Sequence, residues 1–384
     1  MASSYLTIPA RRHGGGKSFR GHGGGYHNAA SLTLERYLQD LPIAEVPTSP
    51  LRPQFHTGRL PNSKLSDGKP RLLLMGQRRS GKSSISSVVF HKMPPTETLF
   101  LESTARIQKD SMHSFMDFQV WDFPGQLDFF DPAFDVDNIF GEIGALIWVI
   151  DAQDDYLDAI NRLNTTILHL QQTYPSINVE VFIHKVDGLS EDYKADTFRD
   201  VIQRIQDELS DAGYENAPVS FYQTSIYDHS IFEAFSKVIQ KLIPQLPTLE
   251  SLLDSLCNNC RIEKAFLFDV LSKIYIAADT TPSDISSYEI SSDYIDVIVD
   301  VSEIYGWDRP SKAAENEVDG EDQIENPDAE SVITLQNDSY LYLREINKYL
   351  ALICLMREDS RGKKGLIDYN VGVFQDALAQ VFTR

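Results

Sequence analysis

From residue 70 to about residue 247 the chain alternates short runs of consecutive apolar residues with longer stretches whose apolar positions recur every three or four residues. The runs Arg71 to Met75, Phe115 to Trp121, Ala145 to Ile150, Asn178 to His184 and Val219 to Thr224 predict strands. The periodic stretches Lys82 to His91, Tyr156 to Tyr174, Tyr193 to Ala212 and His229 to Leu242 predict helices. Strands that alternate with helices in this way form a parallel sheet covered by helices. Pro244 and Pro247 follow, and the pair predicts the end of the preceding helix and a linker. Beyond it, residues 248–384 predict a helix, strands at Ala265 to Val270 and Lys273 to Ala278, and a helix over Ile285 to Tyr305. Strands at Val332 to Gln336, Ser339 to Arg344 and Tyr349 to Leu355 and a final amphipathic helix near Tyr369 to Phe382 complete a second, smaller α+β unit with no catalytic constellation of its own.

Two stretches carry no such pattern. Residues 1–69 mix glycine runs, scattered prolines and Arg11, Arg12, Lys17 and Arg20, and read as a disordered basic tail. Its Gly14-Gly15-Gly16-Lys17-Ser18 looks like a phosphate loop but has neither a strand before it nor an apolar helical face after it, so it reads as low-complexity sequence. Residues 308–330 hold nine acidic side chains, Asp308, Glu315, Glu317, Asp319, Glu321, Asp322, Glu325, Asp328 and Glu330, and almost no apolar ones, which predicts a solvated, mobile loop.

Composition narrows the function. A chain of 384 residues exceeds one typical domain, and 42% apolar residues suffice for two cores. A net charge of -21 excludes a nucleic-acid binder or a membrane-surface binder that works through overall charge, and points to protein partners. The three cysteines are too few for a disulfide framework, which predicts a reducing, cytoplasmic setting. Cys257-Asn-Asn-Cys260 lacks a second ligand pair nearby and reads as a buried helical pair. The longest strongly apolar stretch, Ala145 to Ile150, falls far short of the ~20 residues of a membrane span. Ala2 stands where myristoylation needs Gly, and the C-terminal Val381-Phe382-Thr383-Arg384 has no cysteine to prenylate, so no direct membrane insertion or lipid anchor is expected.

The chemistry is concentrated at predicted strand ends. Gly76-Gln-Arg-Arg-Ser-Gly81-Lys82-Ser83, between a predicted strand and a predicted helix, fits a phosphate-binding loop. Its glycines let backbone amides curl around a phosphate, Lys82 supplies a point charge and the Ser83 hydroxyl is a magnesium ligand. Arg78, Arg79, Ser80 and Ser84 complete the expected phosphate contacts. Asp122-Phe-Pro-Gly125-Gln126 resembles the second switch of Ras-like GTPases: Asp122 for magnesium, the Gly125 amide for the γ-phosphate, and Gln126 as the catalytic residue that orients the attacking water. His184-Lys185-Val186-Asp187 resembles the base-reading element, with the Asp187 carboxylate accepting from the two donors on guanine's edge and Lys185 packed over the base plane. His184 stands where such elements carry Asn. Ser225 and Ile226 occupy the place of the short base-contacting loop, and of Thr96, Thr98 and Thr104 the last is the expected first-switch magnesium ligand. Arg78 and Arg79 are bulky enough to obstruct an incoming catalytic arginine or displace the attacking water, which predicts slow intrinsic hydrolysis. The acidic run Asp151 to Asp155 reads as helix capping.

Together with Val89-Phe-His-Lys-Met93, Leu99-Phe-Leu-Glu-Ser-Thr104 and Ser225-Ile-Tyr-Asp-His-Ser230, these motifs resemble the Rag GTPases, the RagC/RagD-type or yeast Gtr-like branch in particular, over about residues 70 to 384. The resemblance implies an α/β fold, a Ras-like P-loop GTPase domain (70–247) followed by a smaller α+β roadblock/longin-like dimerisation domain (248–384). It implies GTP/GDP and Mg2+ as cofactors and a RagA/RagB-type partner in a heterodimer. It further implies docking on a membrane-anchored scaffold complex at lysosome or vacuole, a GTPase-activating protein, and relay of amino-acid sufficiency to the target-of-rapamycin kinase complex, chiefly when GDP-bound. The alternative from another class is a nucleotide-locked scaffold with negligible hydrolysis.

Overall fold

The computed structural model describes residues 70–113, 115, 117–125, 139–141, 143–175, 177–282, 285–304, 330–335, 338–347 and 349–383. The basic tail, Gln126 and all of the acidic stretch except Glu330 lie outside the described residues.

The first sheet has six strands: β1 (Arg71–Gly76), β2 (Gln108–His113), β3 (Asp117–Asp122), β4 (Ile143–Asp151), β5 (Asn178–His184) and β6 (Val219–Thr224), in the order β2-β3-β1-β4-β5-β6. All neighbours pair in parallel except β2 with β3. β1 is buried along its whole length, as a central parallel strand covered on both faces must be. Its residues alternate between two cores. Leu72 and Leu74 face one with Ile147, Val149 and Phe182; Leu73 and Met75 face the other with Leu146, Trp148 and Ile183.

β2 departs from expectation. The pattern predicts one strand over Phe115 to Trp121, whereas the chain makes a hairpin in which Gln108 pairs with Asp122 and His113 with Asp117. A solvated edge strand of sequence QKDSMH needs no apolar run. Lys109 instead lays its ammonium over the Trp121 ring, 3.6 Å from its centroid.

Helices α1 (Lys82–His91), α2 (Leu157–Thr173), α3 (Glu191–Asp211) and α4 (Ser230–Gln240) cover the sheet. α2 buries Ile160, Leu163, Ile167 and Leu170 and α3 buries Val201, Ile205 and Leu209, both on the Leu73 face. α1 and α4 pack on the Leu72 face.

No linker follows. α5 (Leu246–Cys260) starts one residue before Pro247, which sits in its first turn, where the missing N–H costs nothing. The preceding helix α4 does end, at Gln240, before the proline pair, but the expected linker is corrected, since Pro247 opens the next helix. α5 buries Leu249, Leu252, Leu253 and Leu256, and the Leu72 core runs on through them into a second sheet. That sheet comprises β7 (Lys264–Asp269), β8 (Tyr275–Ala278), β9 (Glu330–Thr334), β10 (Ser339–Glu345) and β11 (Leu350–Arg357), antiparallel throughout in the order β8-β7-β11-β10-β9. Helices α6 (Ile285–Ile304) and α7 (Lys364–Thr383) complete the unit, α7 starting at Lys364 rather than near Tyr369. At the seam the Tyr275 N–H donates to Ser236 Oγ (3.0 Å), Gln240 Nε2 donates to the Tyr275 carbonyl (3.3 Å), and Tyr288 stacks on Phe268.

Cys257 and Cys260 are buried on α5, as the sequence predicts, and Asn370 Nδ2 donates to Cys260 Sγ (3.3 Å). Among the described residues no helix is long and apolar enough to cross a membrane.

Candidate nucleotide site

The strand order reverses at β1, and a ligand crevice belongs at the carboxyl ends of the strands flanking such a point. A cavity of about 910 Å3 opens there, lined from the loops after β1, β3, β4, β5 and β6. The volume lies near the upper end of the ~300–1,000 Å3 usual for small-molecule sites.

At one end β1 stops at Gly76, whose φ of 134° and whose approach to Val149 leave no room for a Cβ. The loop then turns through Arg79 and Gly81, both at positive φ, and Gly81 is the N-cap of α1. This aims the first helical amides at the cavity. Lys82 Nζ donates to the carbonyls of Gly76 (3.1 Å) and Gln77 (2.7 Å). Burial pushes its pKa down to about 8, against the pull of the Asp122 charge, and an incoming phosphate would supply the counter-charge. Arg78, Arg79, Gly81, Lys82, Ser83 and Ser84 line the cavity. Gly76 and the buried Ser80 do not; they shape the loop from beneath.

Ser83, Thr104 and Asp122 come together. Ser83 Oγ donates to Asp122 Oδ2 at 2.5 Å and lies 2.6 Å from Thr104 Oγ1, which itself donates to Asp122 Oδ2 at 3.2 Å. Of the three candidate threonines only Thr104 reaches this cluster. Thr98 turns its hydroxyl to the Pro95 carbonyl (2.7 Å), and Thr96 sits on the same 3₁₀ turn. Asp122 is buried, burial pushes its pKa up, and its Oδ1 has no hydrogen-bond partner among the described residues. Two hydroxyls and a carboxylate with an unsatisfied oxygen are the donor set of a hard divalent cation. Among the described residues no group of three or more His, Cys, Asp or Glu side chains could hold a metal.

Gly125 lies tight on the phosphate loop: a Cβ there would stand 2.2 Å from the Arg78 nitrogen. Its carbonyl accepts from Arg162 Nη1 of α2 (3.0 Å).

At the other end, Ser225 Oγ donates to Asp187 Oδ1 (2.7 Å), and Asp187 and Ile226 line the cavity. Ser225 is buried behind Asp187 and does not line the cavity. His184 braces the loops. Its Nδ1 lies 3.0 Å from Thr224 Oγ1, and its ring packs so closely under Gly81 that a Cβ there would meet Cδ2 at 2.6 Å. Lys185 Nζ donates to the Arg79 carbonyl (2.8 Å), stretching its stem across the cavity between the two ends.

Sequence reasoning missed three residues here. Of the run Asp151 to Asp155, expected to cap a helix, Asp155 does so by accepting the Leu157 N–H at the start of α2 (3.1 Å), whereas Asp151 accepts from Lys185 Nζ at 2.5 Å. Gln153 donates to the Lys185 carbonyl, and Arg162 to that of Gly125.

The sheet order, the phosphate loop opening onto α1 and the Asp187 loop define a Ras-like P-loop protein that binds GTP and GDP. A sequence profile of the Gtr1/RagA G protein conserved region matches residues 71–295, and the chain belongs to that family. It is 60% identical over 316 residues to GTP-binding protein gtr2 of Schizosaccharomyces pombe, covering 82% of this chain and 99% of that protein. To Ras-related GTP-binding protein C of Homo sapiens the identity is 59%, over 82% of this chain and 77% of that protein. To GTP-binding protein GTR2 of Saccharomyces cerevisiae it is 44%, over 83% and 94%. The chain is thus a Rag-type GTPase of the RagC/RagD or Gtr2 kind.

Proposed function

We propose that this chain is a GTP/GDP switch whose nucleotide is held with Mg2+ by Ser83, Thr104 and Asp122 and whose guanine base is read by Asp187. The observation that carries this reading is the convergence of the Ser83 and Thr104 hydroxyls on one oxygen of a buried carboxylate whose other oxygen is unpaired. Mg2+ bound there would neutralise charge between the β- and γ-phosphates. Lys82 adds a point charge, the loop amides cradle the β-phosphate, and the Gly125 amide senses the γ-phosphate. Gln126 would orient the attacking water. Asp187 accepts from guanine N1–H and N2–H, with the Lys185 stem over the base plane. The exposed Arg78 and Arg79 side chains crowd the phosphate end and keep unaided hydrolysis slow, so that an activating protein sets the lifetime of the GTP state.

Family membership supports a wider role. Residues 70–247 are the GTPase domain and 248–384 a roadblock/longin-like domain that pairs with a RagA/RagB-type chain. The heterodimer docks on a membrane-anchored scaffold at lysosome or vacuole, peripheral to the membrane through its partners. There it relays amino-acid sufficiency to the target-of-rapamycin kinase complex, chiefly when this subunit holds GDP.

Ser83→Asn tests the nucleotide assignment. An amide cannot replace the hydroxyl ligand without crowding the ion, so GTP affinity should fall by at least about tenfold more than GDP affinity in a fluorescent-nucleotide titration with magnesium present. Equal losses for both nucleotides would remove Ser83 from the metal set.

A further inference from the structure

Lys185 is the pivot of the base-reading loop. It follows β5 in the left-handed region, at φ 64° and ψ 34°, and is the N-cap of the single 3₁₀ turn Val186–Gly188 that carries Asp187. A side-chain-bearing residue in that region costs on the order of 1–2 kcal/mol and persists only where neighbours hold it.

The neighbours come from the end of β4. Gln153 Nε2 donates to the Lys185 carbonyl at 2.7 Å, which also closes the turn by accepting from the Gly188 N–H at 3.4 Å. The Gln153 amide presses on the far end of the same turn, since a Cβ on Gly188 would stand 2.2 Å from Gln153 Nε2. Asp151 holds both partners at once: Oδ1 accepts from the Gln153 N–H (3.0 Å) and Oδ2 from Lys185 Nζ (2.5 Å). Lys185 Nζ continues to the Arg79 carbonyl of the phosphate loop. The strand-end triplet Asp151-Ala152-Gln153 thus grips the backbone, the side chain and the closing glycine of the base-reading loop.

We propose that Gln153 and Asp151 are positioning residues for guanine recognition: they fix the Lys185–Gly188 turn so that the Asp187 carboxylate meets both donors of the guanine edge. This rests on the reading of Asp187 as the guanine contact. Hypoxanthine lacks the exocyclic amine, so a carboxylate held at the wrong angle loses its advantage for guanine over hypoxanthine before it loses all binding.

The test uses the full chain and competition of GDP and IDP against a fluorescent GDP analogue. Gln153→Ala removes one donor, worth about a factor of ten if its net contribution is of the usual size, and should lower the GDP-over-IDP preference by about that factor. Gln153→Glu, which puts an acceptor against the Lys185 carbonyl, should do the same, and Asp151→Asn should shift the preference in the same direction. Thermal melts establish that each variant is folded, and Gln153→Glu keeps the side chain's size should the Ala variant fail. GDP and IDP weakening by the same factor in the folded variants, or neither weakening, overturns the proposal. A wild-type chain that prefers GDP no more than IDP overturns the Asp187 assignment first, which sets that failure apart.

Discussion

Gly81 and His184 answer each other across the site. Gly81 is at φ 104°, where side chains are strained, and the ring beneath it fills the space a methyl would take. Gly81→Ala should therefore lower GDP and GTP affinity by at least tenfold, about 1.4 kcal/mol, read by fluorescent-nucleotide titration; unchanged affinity would mean that the His184 ring is not a fixed brace. Burial, reinforced by the Lys185 charge and only partly opposed by Asp187 and Asp228, pulls the His184 pKa down to about 4. The unfolded chain then binds a proton near pH 6.5 that the folded chain refuses. Stability contributed by neutral His184 is present above that pH and is lost as pH falls from 6.5 towards 4, by roughly 3 kcal/mol in full. Denaturant unfolding of wild type and His184→Asn between pH 7 and 5 should show the steeper loss in wild type, and parallel curves would refute it. Ser83, Lys82, Asp122 and Asp187 were legible in the sequence because their chemistry requires fixed types at fixed spacing beside a strand. Asp151, Gln153 and Arg162 were not. They act on carbonyls and an ammonium more than thirty residues away in the chain, and nothing local distinguishes them from surface polar residues.

Elements were legible in proportion to their apolar content. The four inner strands of the first sheet announce themselves by buried runs, while β2 is polar and is a strand only because β3 offers it an edge. The α4 end shows how a helix can be tied by one polar anchor. Lys241, its C-cap, donates to both oxygens of the fully buried Glu180 on β5 (2.9 Å each) and to Ser220 Oγ on β6 (2.7 Å). Lys241→Met should cost about 3 kcal/mol in denaturant unfolding because it leaves a buried carboxylate uncompensated, whereas Lys241→Met with Glu180→Gln should recover much of the loss. A single variant within 0.5 kcal/mol of wild type would show the pair to be dispensable.

The whole molecule shares one of its cores between the two sheets. α4 and α5 both contribute to it, and a cut between residues 247 and 248 passes through the first turn of α5. A fragment of residues 70–247 strips Leu249, Leu252, Leu253 and Leu256 away from the apolar surface they cover, at roughly 1.5–3 kcal/mol for each fully buried side chain. That fragment should aggregate or melt well below the full chain in size-exclusion chromatography and thermal scans; a monodisperse fragment with the full chain's melting temperature would mean that the shared core adds nothing. Two units were visible in the sequence, but their continuity was not, because a proline pair looks the same before a linker and at the start of a helix.

The three cysteines of the chain are all interior to the second unit, and burial holds each thiol far above neutral pH. Attack on a disulfide or capture of a soft metal needs a thiolate within reach of solvent. The native chain therefore presents no cysteine thiolate to an oxidant: these three sulfurs pack as hydrocarbon, out of reach of a change in the redox surroundings.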